Sequence, residues 1–316
     1  MQTPVLGRTN LAVSRIGLGS IAFGGHYGNV GRYECIRTIQ AAVEGGVTLF
    51  DTSPSYGGGL AEEILGTALG AGIKDIVVTS KIGSGIDSNG QFWCLNNRPN
   101  ILRQVEKSLI RLRRECIDIY FIPGDDPQTS LGETVSTMEE LRERGKIRFI
   151  GYCTSDIDRL REALKHGRID VVQATYNVLE RTIGLQLIPF CRATRIPIIA
   201  CEPFCRGLLV GNLHKHSSFG IDDLRIEDKR FRGERFRESI ETVNRLRAYA
   251  DQEKLSLVQL TLGWIRQNPM IASIVVGAKS RLQIRQSILA SEIELTPDQI
   301  MAVDQIARRK VVQRAS

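Results

Sequence analysis

Long hydrophobic runs are missing from this chain: none approaches the roughly 20 apolar residues that a membrane-spanning helix requires. One of the longer ones, 271–278, reads as a buried strand instead, and no membrane partner is expected. The opening residues, Met1-Gln2-Thr3-Pro4-Val5-Leu6-Gly7-Arg8, lack an apolar segment behind a basic patch, so no secretory signal is expected either. Cysteine occurs without any familiar pairing. Cys35, Cys94, Cys116, Cys153, Cys191, Cys201 and Cys205 are an odd set with no C-x-x-C pair and no zinc-like spacing. No metal is expected, and thiols set in apolar patterns suit a reducing cytoplasm. Charge of one sign is not concentrated. The 42 Lys and Arg against 35 Asp and Glu leave a formal +7, yet acids and bases are interleaved, as in 222–230. That mixing reads as a solvated surface rather than a nucleic-acid footprint, and the small excess favours phosphate-bearing small ligands.

What is present is an alternation. Runs at 15–19, 47–51, 76–81, 117–122, 148–152, 170–173, 197–201 and 273–276 are mostly near-continuous and apolar, as parallel strands covered on both faces are. Helix-period stripes lie between them, such as Ile101, Val105, Leu109 and Leu112, or Ile240, Val243, Leu246 and Ala250. Gly45, Gly46, Gly70, Gly72, Gly145 and Gly167 punctuate the connections, several just past helical patterns where a left-handed cap is wanted. Thr296-Pro297-Asp298-Gln299 has the N-cap, Pro and Gln of a helix start. With no linker and no shift in composition, the pattern predicts an α/β fold: a single (β/α)8 TIM barrel over residues 1–316. An open doubly wound sheet is the alternative architecture.

Residues 4–13 are expected to form a small hairpin closing the barrel bottom, and two extra helices, at 236–252 and 256–267, precede the last strand. The stretch 210–235 has no clean period, and a loop of that length usually has a function. Gly17-Leu18-Gly19-Ser20-Ile21-Ala22 matches a dinucleotide fingerprint, but that motif must open a helix. The following residues, 23–31, are too rich in glycine for one, so the Rossmann reading is set aside.

Asp51 and Lys81 each end a strand run, and Tyr56 follows in Asp51-Thr52-Ser53-Pro54-Ser55-Tyr56-Gly57. In a closed barrel the three meet on the C-terminal rim, where such folds keep their chemistry. A carboxylate beside an amine beside a phenol is a way to lower a tyrosine pKa, which points to proton transfer. Singly, each has a plain structural use: a helix cap, a packed loop residue, an ion pair.

These residues, with Gln173-x-x-Tyr176-Asn177, Pro203-Phe204-Cys205-Arg206-Gly207 and Val276-Gly277-Ala278-Lys279-Ser280-x-x-Gln283, resemble the aldo-keto reductases, in order from about residue 5 to 305. The resemblance implies a barrel binding NADP(H), with NAD(H) less favoured, across its C-terminal rim. Tyr56 would be the general acid and base, with Lys81 lowering its pKa and Asp51 holding Lys81. Dinucleotide contacts would fall to Gly19, Ser20, Thr154, Gln173, Pro203, Arg206, Gly207, Leu208, Lys279, Ser280, Gln283 and Ser287. The partner implied is a small carbonyl or alcohol, with an oligomer left open.

The pattern also departs from the family. Pro123 stands where the family has a histidine that donates to the substrate oxygen, and proline offers no such donor. His26, Trp93, Asp125 or Asp126 are the candidates to replace it, unless the substrate is activated enough to need Tyr56 alone. Cys153-Thr154 replaces the family's Ser-Asn, Cys201 stands where many members stack an aromatic ring, and Ser287 replaces an asparagine near adenine. The function expected is hydride exchange with a small carbonyl or alcohol, such as a sugar or a biosynthetic intermediate. The competing readings are a nucleotide-binding regulatory subunit with little catalysis, and a lyase or isomerase that uses the cofactor transiently.

Overall fold

The computed structural model describes residues 3–70, 75–86, 92–220 and 222–308, with backbone alone at 85, 86, 92 and 93; Gly72 lies outside them. In chain order the strands are β1 (Ile16–Gly19), β2 (Leu49–Asp51), β3 (Val77–Lys81), β4 (Ser84–Ile86), β5 (Phe92–Cys94), β6 (Ile117–Ile122), β7 (Ile147–Cys153), β8 (Val171–Thr175), β9 (Ile198–Cys201) and β10 (Ile271–Gly277). All but β4 and β5 close into a parallel barrel in the order β1-β10-β9-β8-β7-β6-β3-β2. The eight apolar runs thus become the eight barrel strands, and the closed sheet excludes the doubly wound alternative. The antiparallel ribbon β4–β5 is an insertion the sequence reading missed.

Ten helices surround the barrel: α1 (Arg32–Glu44), α2 (Leu60–Leu69), α3 (Arg98–Leu112), α4 (Leu131–Glu143), α5 (Ile157–His166), α6 (Leu187–Thr194), α7 (Gly233–Gln252), α8 (Leu257–Arg266), α9 (Arg281–Ala290) and α10 (Pro297–Ala307) among the described residues. The stripe on α3 is buried as expected, and Asn97 caps that helix by accepting from the Asn100 N–H. At α10, Thr296 and Gln299 form the anticipated capping box. Gly45 (φ −80°) and Gly167 (φ 167°) do not adopt the left-handed cap expected of them, whereas Gly46, Gly70 and Gly145 have positive φ. After β1 the chain makes a short 3-10 turn (Ile21–Gly24), not the helix a dinucleotide fingerprint needs. Among the described residues no helix is long and apolar enough to cross a membrane.

The barrel interior is sealed below and open above. Val5 and Ala12 form an antiparallel bridge, and Leu6, Leu11 and Val13 from this hairpin pack among Leu49, Val77, Ile119, Val171 and Ile199. At the other end the register lines up the chemistry: Gly19 lies opposite Asp51, Cys153 opposite Gln173, and Thr175 opposite Cys201. Phe121, fully buried, lies in register with both Lys81 and Gly151. A Cβ on the neighbouring Gly151 would sit 2.2 Å from the Phe121 ring, so only glycine lets the ring lie there.

Candidate active site

Asp51 is the hub of the rim. Its Oδ1 accepts from Lys81 Nζ at 2.8 Å, from Thr79 Oγ1 at 2.8 Å and from Gln173 Nε2 at 2.9 Å, while Oδ2 accepts from Lys81 Nζ at 2.9 Å. Lys81 also donates to the Thr52 carbonyl at 3.1 Å. Burial works against the Lys81 ammonium, but the Asp51 carboxylate outweighs it and holds the lysine above its usual pKa. Lys81 Nζ stands 5.4 Å from the centre of the Tyr56 ring and 5.9 Å from that of Phe121. The structure therefore brings together Asp51, Tyr56 and Lys81, three residues from two strands and a loop.

The net effect on the phenol differs from the sequence expectation. Burial pushes the Tyr56 hydroxyl well above its ordinary pKa; Lys81 pulls it back only in part, and Asp51 pushes the same way as burial. A cation already neutralised by two short contacts to a carboxylate has little field left for its neighbour.

The Tyr56 loop is held from behind by the loop after β1. Gly24 and Gly57 pack backbone to backbone: a Cβ on Gly24 would lie 2.5 Å from the Tyr56 carbonyl carbon, and one on Gly57 2.8 Å from the Gly24 Cα. His26 Nε2 lies 3.2 Å from the Ser55 carbonyl oxygen and 3.4 Å from the Gly57 N–H, with its ring edge-on to Tyr56. Its polar edge thus faces the backbone of that loop. Asp125 accepts from Tyr152 Oη at 2.8 Å and pairs with Arg159 at 2.7 Å. Asp126 accepts from Asn96 N, Gln128 N and Thr129 Oγ1, and these contacts hold its carboxyl below the usual range despite burial. Neither aspartate is a free donor, and the Trp93 side chain lies outside the described residues.

A cleft of about 460 Å³ runs from Asp51 and Tyr56 to Gln286 and Ser287. Of the twelve anticipated dinucleotide contacts, Gly19, Gln173, Pro203, Arg206, Gly207, Lys279, Gln283 and Ser287 line it. Ser20, Thr154, Leu208 and Ser280 do not. Ser20 is buried beside Gly19, and its hydroxyl has no partner among the described residues. Thr154 bonds within its own turn to Asp156, Leu208 is in the core, and Ser280 caps α9.

The sequence reading missed Thr79, Tyr27, Glu202 and Arg225 as site residues. Arg225 belongs to the long stretch already singled out; its guanidinium lies 4.4 Å from the Phe219 ring centre and 5.5 Å from that of Tyr27. Leu224 N donates to the His26 carbonyl, so this stretch straps across to the loop after β1. Its base is a charge cluster. Arg230 bonds Glu180, Glu202 and Asp228, and Arg206 bonds Glu202 and Asp228. The two arginines overcome burial and hold Glu202 below the usual carboxylate range. They also anchor a strained turn in which Glu202, Cys205 and Arg206 all have φ near +50°.

The sequence profile described as the aldo/keto reductase family matches residues 15–308. The chain belongs to the aldo/keto reductase family. The aldo-keto reductase YhdN of Bacillus subtilis (strain 168) is 34% identical over 287 residues, covering 90% of this chain and 87% of that one. The NADH-specific methylglyoxal reductase of Escherichia coli (strain K12) is 32% identical over 307 residues, covering 92% and 94%. Among solved structures, the glycerol dehydrogenase AKR11B4 of Gluconobacter oxydans superposes with a TM-score of 0.85 at 28% identity, covering 100% and 97%. This aldo/keto reductase is accordingly an oxidoreductase of small carbonyl compounds, in a family that uses nicotinamide cofactors.

Proposed function

We propose that the chain reduces small, electronically activated carbonyl compounds, and oxidises the matching alcohols, with Tyr56 handling the proton. The observation that carries this reading is the Asp51–Lys81 clamp, set within 5.4 Å of the Tyr56 ring centre at one end of the cleft. The cleft suits a nicotinamide dinucleotide. Its volume is in the range of small-ligand sites, and Arg206 and Arg225 line it as partners for a diphosphate. Gly277 has no atom within 4 Å of where a Cβ would be, which leaves room for a flat group. The bound dinucleotide would supply the hydride. Gln173 would orient its carboxamide while restraining Asp51, and the Tyr56 hydroxyl would give its proton to the nascent alkoxide. Lys81 would stabilise the phenolate left behind.

Activation of the substrate follows from the missing donor. Among the described side chains, which leave out Trp93, Pro123 offers none, His26 Nε2 faces backbone, and Asp125 and Asp126 are already engaged. A carbonyl with an adjacent electron-withdrawing group needs less help at oxygen, and the relative named as a methylglyoxal reductase points the same way. The test is steady-state turnover of α-oxo aldehydes against simple aliphatic ketones, with wild type and Tyr56→Phe. Wild type is expected to favour the α-oxo aldehydes, and Tyr56→Phe to lose about 10²–10⁴ in kcat with dinucleotide affinity unchanged. Tight dinucleotide binding without turnover of any carbonyl would instead favour a regulatory subunit.

A further inference from the structure

The cleft has a chemical direction. Asp51, Tyr56 and Gln173 occupy one end, and Lys279, Gln283, Gln286 and Ser287 wall the other. If the nicotinamide lies beside Tyr56, as the proposed function requires, the adenosine ribose lies near the start of α9. A helix N-terminus flanked by Lys279 and Arg281 is a ready seat for a phosphate. In this chain that seat is taken. Lys279 N donates to Gln283 Oε1 at 2.7 Å, and the Lys279 ammonium donates to the Tyr27 carbonyl. Gln283 N donates to Ser280 Oγ at 3.4 Å. Arg281 N, the first N–H of α9, donates to Glu34 Oε1 at 3.3 Å, and Arg281 Nε lies 3.7 Å from the same oxygen. Glu34 comes from the first turn of α1, 247 residues away in sequence. A carboxylate from another element thus already complements both the helix end and the arginine beside it.

We propose that Glu34 is a specificity-determining residue that makes this enzyme select NADH over NADPH. A ribose 2′-phosphate carries about −1.5 to −2 charges, the same sign as Glu34, and would compete for the same N–H and guanidinium. A free 2′-hydroxyl has the opposite preference, since it can donate to a carboxylate. The groups of α9 that wall the cleft beyond Lys279 (Gln283, Gln286 and Ser287) are neutral and offer a phosphate no compensating charge. Lys279, Ser280 and Arg281 look like an NADP signature in the sequence, but the fold engages each of them elsewhere. Glu34 is therefore a filter that acts on the ribose and leaves the proton relay untouched.

The test is direct binding. NADH and NADPH are titrated by calorimetry into the full chain as wild type, Glu34→Gln and Glu34→Ala, with melting curves to confirm folding. Wild type is expected to bind NADH at least about tenfold more tightly than NADPH, a difference of about 1.4 kcal/mol. Both substitutions are expected to shrink that ratio at least about fivefold, chiefly by tightening NADPH, with NADH affinity nearly constant. Adenosine 2′,5′-bisphosphate should gain affinity in the same variants while AMP does not, which reads the ribose end without the nicotinamide. Tighter NADPH binding by wild type, or a ratio that the substitutions leave unmoved, overturns the assignment while the dinucleotide reading stands. Failure of wild type to bind either dinucleotide overturns both.

Discussion

At the scale of single residues, with Tyr56 handling the proton as proposed, the balance around it decides how the enzyme responds to pH. Burial raises the phenol pKa, Lys81 lowers it, Asp51 raises it again, and the sum is upward. In carbonyl reduction the phenol must be protonated, so a raised pKa keeps it competent; kcat/KM for reduction is expected to stay flat from about pH 6 to 9. In alcohol oxidation the phenolate is the active form, so kcat/KM should climb by about tenfold per pH unit over the same range without a plateau. Removing the cation in Lys81→Met takes away the one contribution that favours phenolate and should depress oxidation more than reduction. Initial rates in both directions across that range are the measurement. A plateau in oxidation near neutrality would mean that Lys81 dominates burial, as the sequence alone suggested.

At the scale of elements, the site depends on how the strand carrying Lys81 is tied to the helix that follows Tyr56. Glu62, on α2 and fully buried, accepts from Ser80 Oγ at 2.7 Å and from Arg111 Nε of α3 at 2.6 Å. Ser80 immediately precedes Lys81, so this carboxylate joins β3, α2 and α3 behind the proposed proton relay. Truncating one partner of a buried pair leaves the other charge uncompensated, which typically costs about 3–5 kcal/mol. Glu62→Ala is therefore expected to lower unfolding stability by about that much in urea titration, with the m-value unchanged. The eight strands were legible because parallel strands covered on both faces must be apolar throughout, and the helices because one face must be. The ribbon β4–β5 was not: Ser84-Gly85-Ile86 and Phe92-Trp93-Cys94 are too short to show a period. Asp51, Tyr56 and Lys81 could be read from strand ends, whereas the Gln173–Asp51 bond spans 122 residues and leaves no local trace.

At the scale of the whole molecule, one segment joins parts of the barrel that are far apart in sequence. The strap after β9 touches the loop after β1 through Leu224 and His26, stacks Arg225 on Tyr27, and is pinned by Arg230 to Glu180, Glu202 and Asp228. Its apolar support is the cluster of Phe219 and Phe231 against Phe236 of α7. The sequence flagged this segment by its length but could not show its purpose, because its contacts are ion pairs and ring contacts without a repeating period. Phe231 joins the edge of the main core cluster, with Leu213 and Phe219 packed on it, but most of that core is formed by the strands and the helix faces that cover them, so the strap can loosen without opening the sheet. Arg230→Ala removes the pin and strands Glu202 and Glu180 without their shared cation. Dinucleotide Kd is expected to rise about tenfold, equivalent to about 1.4 kcal/mol. Limited proteolysis should become faster within 213–232, while the main thermal transition of the barrel moves little. Arg230→Lys restores charge but not the forked geometry that reaches three carboxylates, and should recover only part of the affinity. A barrel transition that collapses with Arg230→Ala would show instead that the charge cluster holds the fold itself.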